Sequence, residues 1–437
     1  MNAMKAQLLS PAGTLKSLRY ALAYGADAVY AGQPRYSLRV RNNDFNDPDL
    51  LAEGIELAHR QGKLFYLASN LAPHNDKVRS YLRDMQAVIA MQPDALIMSD
   101  PGLIMLVRDN WPDMPIHLSV QANVVNYASV DFWQRQGIAR IILSRELSLK
   151  EIAQIRQKCP DVELEVFVHG ALCIAYSGRC LLSGYMRHRD SNQGACTNSC
   201  RWRYQLHEGG ENDSGDIIPT VSTDAEEVFL LQEEQRPGEL MPVYEDEHGT
   251  YIMNSKDLRA VQHVQQLQQM GIESIKIEGR TKSHYYVART TQVYRQAIDD
   301  AEAGIDSSRA LMDKLESLAN RGYTEGFYRR HVPDELQSYE MGTSKSDLQR
   351  FVGEVVGSES DERSLLIDVK NRFSVGDRLE LMSPAGSVDF TLEEIESEKH
   401  GPVSSAPGSG HRVRIHNPGI RPDLALLVRY LPEQEVG

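Results

Sequence analysis

Four of the chain's five cysteines, Cys173, Cys180, Cys196 and Cys200, fall within 28 consecutive residues with the spacing C-x6-C-x15-C-x3-C. Thiolates gathered this closely are ligands for soft metals. In a reducing compartment they are metal ligands or redox groups rather than a disulfide framework. Iron–sulfur clusters take four cysteine thiolates at spacings that vary widely. Structural zinc favours two tight pairs, and only Cys196 and Cys200 form one. Spacing favours an iron–sulfur cluster, with a zinc site and unligated or catalytic thiols as the other readings. Cys159, beside Pro160 at a helix end, reads as structural.

Cations and aromatic rings interleave around the cysteines: Arg187, Arg189, Arg201, Trp202, Arg203 and Tyr204. Single-stranded RNA is held by phosphate contacts and base stacking of this kind. The net charge of −14 argues against such a partner. However, residues 205–250 hold thirteen acidic residues against one arginine, so an acidic insertion accounts for most of the charge. Gly271–Arg280 carries Lys276, Glu278 and Arg280, which would bind an acidic small molecule or form solvated ion pairs; Arg145–Glu146 has the same two readings. His169 is an acid–base candidate or a structural histidine. No G-x-S-x-G, H-E-x-x-H or Walker A motif is present, which removes support for common hydrolase and NTPase chemistry.

Something must position these residues. At 437 residues the chain is long enough for two or three domains, and 41% hydrophobic with 25% charged residues reads as globular. No window approaches 18 apolar residues, and MNAMKAQLLSPAG lacks the apolar stretch of a signal peptide; a cytoplasmic protein with no membrane partner is expected. Short apolar runs recur at Gln7–Leu9, Ala28–Tyr30, Leu64–Leu67, Ala95–Met98, Ile116–Leu118, Arg140–Leu143, Leu164–Val168 and Ser274–Ile277. Between them lie helical patterns, among them Thr14–Tyr24, Leu149–Lys158 and Asp257–Met270. Continuous apolar strands alternating with helices mean a parallel sheet buried on both faces. Eight of them predict a (β/α)8 barrel, with a doubly wound sheet as the alternative. Residues just past each strand then share one face, and the cysteine segment follows the seventh strand, over that mouth.

The expected organisation is a barrel domain over 1–305 with a cysteine-bearing insertion at 170–250. A helical connector over 306–347 follows, and then a small C-terminal β-barrel domain over 348–437. In that last part the strands shorten and alternate.

The run Glu165-x-Phe167-x-x-Gly170-Ala171-Leu172-Cys173-x4-Gly178-x-Cys180-x-Leu182-Ser183 resembles the signature of the collagenase-like peptidase family U32. LLSPAGTLKSLRYALAYGADAVYAGQ, IHLSVQAN, YIMNSKDLRA and SIKIEGRTKS match its blocks across nearly the whole chain. YSLRVRNNDFND, RCLLSGYM, CTNSCRW and RGYTEGF resemble its tRNA-hydroxylating branch. The resemblance implies a prephenate-dependent hydroxylase making 5-hydroxyuridine at the tRNA wobble position. It also implies a 4Fe-4S cluster on Cys173, Cys180, Cys196 and Cys200, loaded by iron–sulfur assembly machinery. Many relatives carry a cysteine after the Ser-Lys-Asp-Leu block, where this chain has Arg259, so Cys200 is taken as the fourth ligand. A dicarboxylate such as prephenate calls for cationic partners, for which Arg145, Lys276 and Arg280 are proposed. Two other activities remain open: a zinc-stabilised RNA-binding protein, and a peptidase. The peptidase would need an accessible cysteine paired with a base.

Overall fold

The structure is a computed structural model. It describes residues 5–33, 35–38, 43–172, 176–177, 180, 182–183, 197, 199, 256–318, 320, 322–329, 348–358 and 363–431, and between 204 and 250 only the backbones of short strands. Eight parallel strands close into a barrel: β1 Gln7–Pro11, β2 Ala28–Gly32, β3 Leu64–Ser69, β4 Ala95–Met98, β5 Ile116–Leu118, β6 Arg140–Ile142, β7 Glu163–Ala171 and β8 Ser274–Ile277. Each pairs with the next, and β8 pairs with both β7 and β1. β2, β4 and β8 are buried along their whole length, as expected for strands covered on both faces.

The helices α1 Leu15–Ala23, α2 Pro48–Arg60, α3 Asn75–Ala90, α4 Pro101–Asn110, α5 Tyr127–Arg135, α6 Leu149–Lys158, α7 Val264–Gln269, α8 His284–Glu302 and α9 Ser308–Glu316 include those that form the outer ring. Their starts are chemically marked. Thr14, Asp47, Asp100, Asn126, Ser148 and Ser283 each accept a backbone N–H of the first turn, and Ser148 with Glu151 makes a full capping box.

One sequence expectation fails here. Asp257–Met270 is not a single helix. Asp257–Arg259 is a strand antiparallel to the end of β7, followed by a 3-10 turn at Val261–His263 and then α7. β7 is nine residues long and overhangs its barrel neighbours, so its last residues offer a free edge that this segment fills.

The C-terminal domain is an antiparallel sheet built from β9 Gln349–Ser358, β10 Ser364–Val369, β11 Arg378–Ser383, β12 Gly386–Thr391, β13 Ile395–Ser397, β14 Gly401–Val403, β15 Arg412–His416 and β16 Leu426–Tyr430. Its spatial order is β12-β11-β16-β9-β10-β15-β13-β14. It has its own core around Val352, Ile367, Leu379, Leu381 and Val413. Met382, Leu426 and Val428 belong instead to the barrel's hydrophobic cluster. The contact is also polar. Arg289 of α8 makes a two-pronged pair with Glu380 at 2.8 and 2.5 Å, and Tyr24, just past α1, donates to the Met382 and Leu424 carbonyls at 3.0 Å.

Candidate functional site

Period-two alternation in the strands turns a second set of side chains into the barrel. At the level where the strands begin they are mostly polar. Arg140 donates to Gln7 at 2.7 Å and Glu163 at 2.8 Å, and lies 3.4 Å from Glu165. Tyr66 donates to Gln7 at 3.0 Å, and the His117 ring meets Tyr66 edge-on at 4.6 Å. Glu165 is 0% exposed and also accepts from Ser274 at 2.9 Å and from the Lys276 ammonium at 2.9 Å. Burial alone would raise the Glu165 carboxyl, but Lys276 and Arg140 outweigh it and hold it below the usual range. The same burial pulls the Lys276 ammonium below its ordinary value, against the opposing pull of Glu165. Burial also holds His117 neutral, pushed down to about 3, with Arg140 adding to the effect.

Above this layer, cations and rings alternate. Arg145 lies 4.0 Å over the Phe167 ring; Lys276 is 5.4 Å from Phe167 and 4.3 Å from Tyr30; Arg280 is 5.5 Å from Tyr30. Such contacts fix the cations over apolar walls. Arg145 also donates to the Ala171 carbonyl at 2.8 Å, while its Nε is buried with no hydrogen-bond partner among the described residues. Arg280 donates to Ser37 at 2.8 Å. A Cβ on Gly32 would come within 2.8 Å of that guanidinium and 2.7 Å of Ser37, so the absent side chain is what leaves the arginine its place. Tyr30 reaches the Ile277 carbonyl at 2.9 Å and the Glu278 carboxylate at 3.2 Å.

The structure thus brings Arg145, Lys276, Glu278 and Arg280 together at the mouth. They are held by β6, β8 and the turns that follow, and Lys276 and Arg280 are buried rather than solvated. It does not bring His169 there. A bulge between Lys276 and Ile277 in the β7–β8 pairing turns the imidazole outward, among Tyr286 and Tyr294 of α8 and Tyr323. Burial pushes His169 down to about 3, with Lys282 and Arg259 adding to it, and its Nε2 has no hydrogen-bond partner among the described residues. Sequence reasoning missed Gln7, Tyr30, Tyr66, Arg140, Glu165 and Phe167. For Glu165 and Phe167 the signal was alternation within the run, Glu163-x-Glu165-x-Phe167, which faces Ser274-x-Lys276-x-Glu278 on β8.

Cys173, Cys196, Cys200, Arg187, Arg189, Arg201, Trp202 and Arg203 lie outside the described residues, and Tyr204 opens a strand described by its backbone alone. What is described is where their segment starts. Leu172, buried at the end of β7, directly precedes Cys173. The Asn123 amide after β5 donates to the Ser177 carbonyl at 3.0 Å, three residues before the partly exposed Cys180. Asn123 adopts the left-handed conformation, φ 52°, which asparagine tolerates. Arg259, where relatives are expected to carry a cysteine, is paired with Glu316 and lies 4.8 Å from the Tyr323 ring. Among the described residues no helix is long and apolar enough to cross a membrane.

Comparison with known proteins agrees with this architecture. The family model "Peptidase family U32" matches residues 13–338, and the model of that family's C-terminal domain matches residues 347–429. The chain is 59% identical over 440 residues to the tRNA hydroxylation protein P of Escherichia coli, covering 97% of each chain. It is 57% identical over 445 residues to the protein of the same name from Haemophilus influenzae, covering 98% of this chain and 96% of the other. It is also 29% identical over 434 residues to a 23S rRNA 5-hydroxycytidine synthase of Escherichia coli, covering 94% of this chain and 58% of that one. The two family models together span the barrel and the antiparallel sheet domain, and with relatives 57–59% identical over nearly the whole length they place this chain in peptidase family U32.

Proposed function

We propose that this chain is a tRNA-modifying hydroxylase. It would form 5-hydroxyuridine at the wobble position of anticodons, using prephenate as cosubstrate and a 4Fe-4S cluster. The observation that carries the reading is the tie between the cationic mouth and the cysteine segment. Arg145 faces the mouth and holds the Ala171 carbonyl at 2.8 Å, two residues before Cys173. Relatives that match nearly the whole chain and bear the name tRNA hydroxylation protein support it, as does a more distant relative named for hydroxylating a pyrimidine of rRNA.

The donor set suits the cluster: Cys173, Cys180, Cys196 and Cys200 are soft thiolates, and the segment bearing the first two is tethered to the rim through Leu172 and Ser177. When bound, the cluster would supply electron transfer. The chain's own residues do the rest. Arg145 and Arg280 present guanidinium groups to the two carboxylates of the cosubstrate, a geometry arginine matches better than lysine. Tyr30 and Phe167 wall the floor against water and keep the cations in place. A wobble base is unpaired, so presenting it to this mouth costs less than extracting one from a duplex. Arg187, Arg189, Arg201, Trp202, Arg203 and Tyr204 are the residues proposed to hold the loop that carries it.

The test is nucleoside mass spectrometry of total tRNA from a strain lacking this gene and any redundant hydroxylase. The strain is complemented with the parent protein or with Cys173→Ala. Loss of 5-hydroxyuridine derivatives, restored by the parent alone, is the expected result. An unchanged profile in the deletion strain refutes the assignment.

A further inference from the structure

We propose that Lys276 is a covalent catalytic residue whose amine condenses with the carbonyl carbon of a 2-oxo carboxylic acid held at the mouth by Arg145 and Arg280. This rests on the reading of that mouth as the cosubstrate's site and adds to it the functional group recognised and the bond made.

The argument begins with a cation that the buried carboxylate does not need. Glu165 already accepts from Ser274 at 2.9 Å and lies 3.4 Å from Arg140, a guanidinium that stays charged at any physiological pH. A second cation in the same interior adds desolvation cost. Lys276 is nevertheless there, projecting inward from the middle of β8. Its amine sits between two aromatic rings, 4.3 Å from Tyr30 and 5.4 Å from Phe167. The same two rings carry Arg280 and Arg145. Two guanidinium groups select carboxylates. A desolvated lysine beside them, with a carboxylate at 2.9 Å to take its proton, selects an electrophilic carbon next to a carboxylate. Burial favours the neutral, nucleophilic amine, which supports the assignment.

The step balances without an external reagent. The Lys276 ammonium passes one proton to Glu165. The neutral amine adds to the carbonyl carbon while the π pair moves to oxygen, which takes the proton back from Glu165. The carbinolamine then expels water, its oxygen leaving with the second amine proton, and a protonated imine remains. One ammonium and one ketone become one iminium and one water. Prephenate, which carries a 2-oxo carboxylate, satisfies the requirement; so does pyruvate.

The experiment is borohydride trapping on the full-length protein, without tRNA, using prephenate, pyruvate or succinate, followed by peptide mass spectrometry. Succinate has two carboxylates and no keto group. The expected product with either 2-oxo acid is a peptide modified at Lys276, heavier by the acid less one oxygen atom. Succinate should give none. Arg145→Gln should lower trapping at limiting acid by about tenfold or more. Lys276→Met, checked for folding by circular dichroism, should abolish the adduct; if that variant does not fold, the mapping on the parent protein decides alone. The proposal is overturned if Lys276 stays unmodified, or is modified no faster than exposed lysines. Trapping with no change in tRNA nucleosides keeps the imine and discards the hydroxylase; the opposite pair of results discards only the imine.

Discussion

Glu165→Gln is the sharpest test of the barrel interior, because it keeps size and shape while removing a fully buried negative charge. Lys276 at 2.9 Å and Arg140 at 3.4 Å both lose an ionic partner. With charge centres about 4 Å apart, each attraction is worth about 4 kcal/mol at an effective dielectric constant of about 20. Arg140 keeps Glu163, so most of the loss falls on Lys276. That residue has an escape, since it can fold as the neutral amine. Near pH 7 this costs about 4.6 kcal/mol for a lysine of ordinary pKa, which caps its share. A destabilisation of about 3–5 kcal/mol is therefore expected, a fall in Tm on the order of 10 °C. The sign of the pH dependence follows. In the variant the folded state binds fewer protons than the unfolded state, so its stability rises with pH. The deficit should shrink by up to about 1.4 kcal/mol per unit between about pH 7 and pH 9. Denaturant unfolding at the two pH values is the assay, and adding Lys276→Met should recover most of the loss. A deficit under about 1 kcal/mol, or one that does not shrink with pH, would refute the account of this cluster.

Three further outcomes are expected. Arg289→Met removes the buried partner of Glu380 and should destabilise the protein by about 3–5 kcal/mol in thermal unfolding, with Glu380→Leu in the same chain restoring much of it. Burial would raise the Glu354 carboxyl, but His284 and Lys16 outweigh it and hold it down to about 2. Its contribution is full above the ordinary carboxylate range and is lost as pH falls toward about 2, so Glu354→Gln should flatten the acid limb of stability against pH. Gly170 has φ 105° and an added Cβ would lie 2.3 Å from the Glu278 carbonyl oxygen; Gly170→Ala should push β7 from the turn after β8 and weaken cosubstrate binding, read by calorimetry.

The barrel was legible because its strands are short, mostly apolar runs separated by capped helices. The expected runs at Ala95–Met98, Ile116–Leu118 and Ser274–Ile277 coincide with strands, and Leu149–Lys158 with α6. Tertiary structure overrode local pattern at Asp257–Arg259, where the apolar spacing suits a helix but the overhanging edge of β7 takes the segment as a strand. At the site, Arg145, Glu278 and Arg280 were readable as residues past strand ends. Lys276 was read with them, although its neighbours Glu165 and Tyr30 lay inside strand runs read only for their apolar residues. The outward turn of His169 depends on a bulge, which leaves no mark in the sequence.

The docking of the sheet domain changes what a domain boundary means in this chain. Met382, Leu426 and Val428 complete the barrel's core, and the Arg289 charge is paired with Glu380 from the other side. A chain cut after the barrel would expose an apolar face and strand a buried cation. The barrel and the sheet domain should therefore melt together, in one calorimetric transition. A lineage that lost the appended domain would first have to rewrite Tyr24 and the face of α8 that carries Arg289.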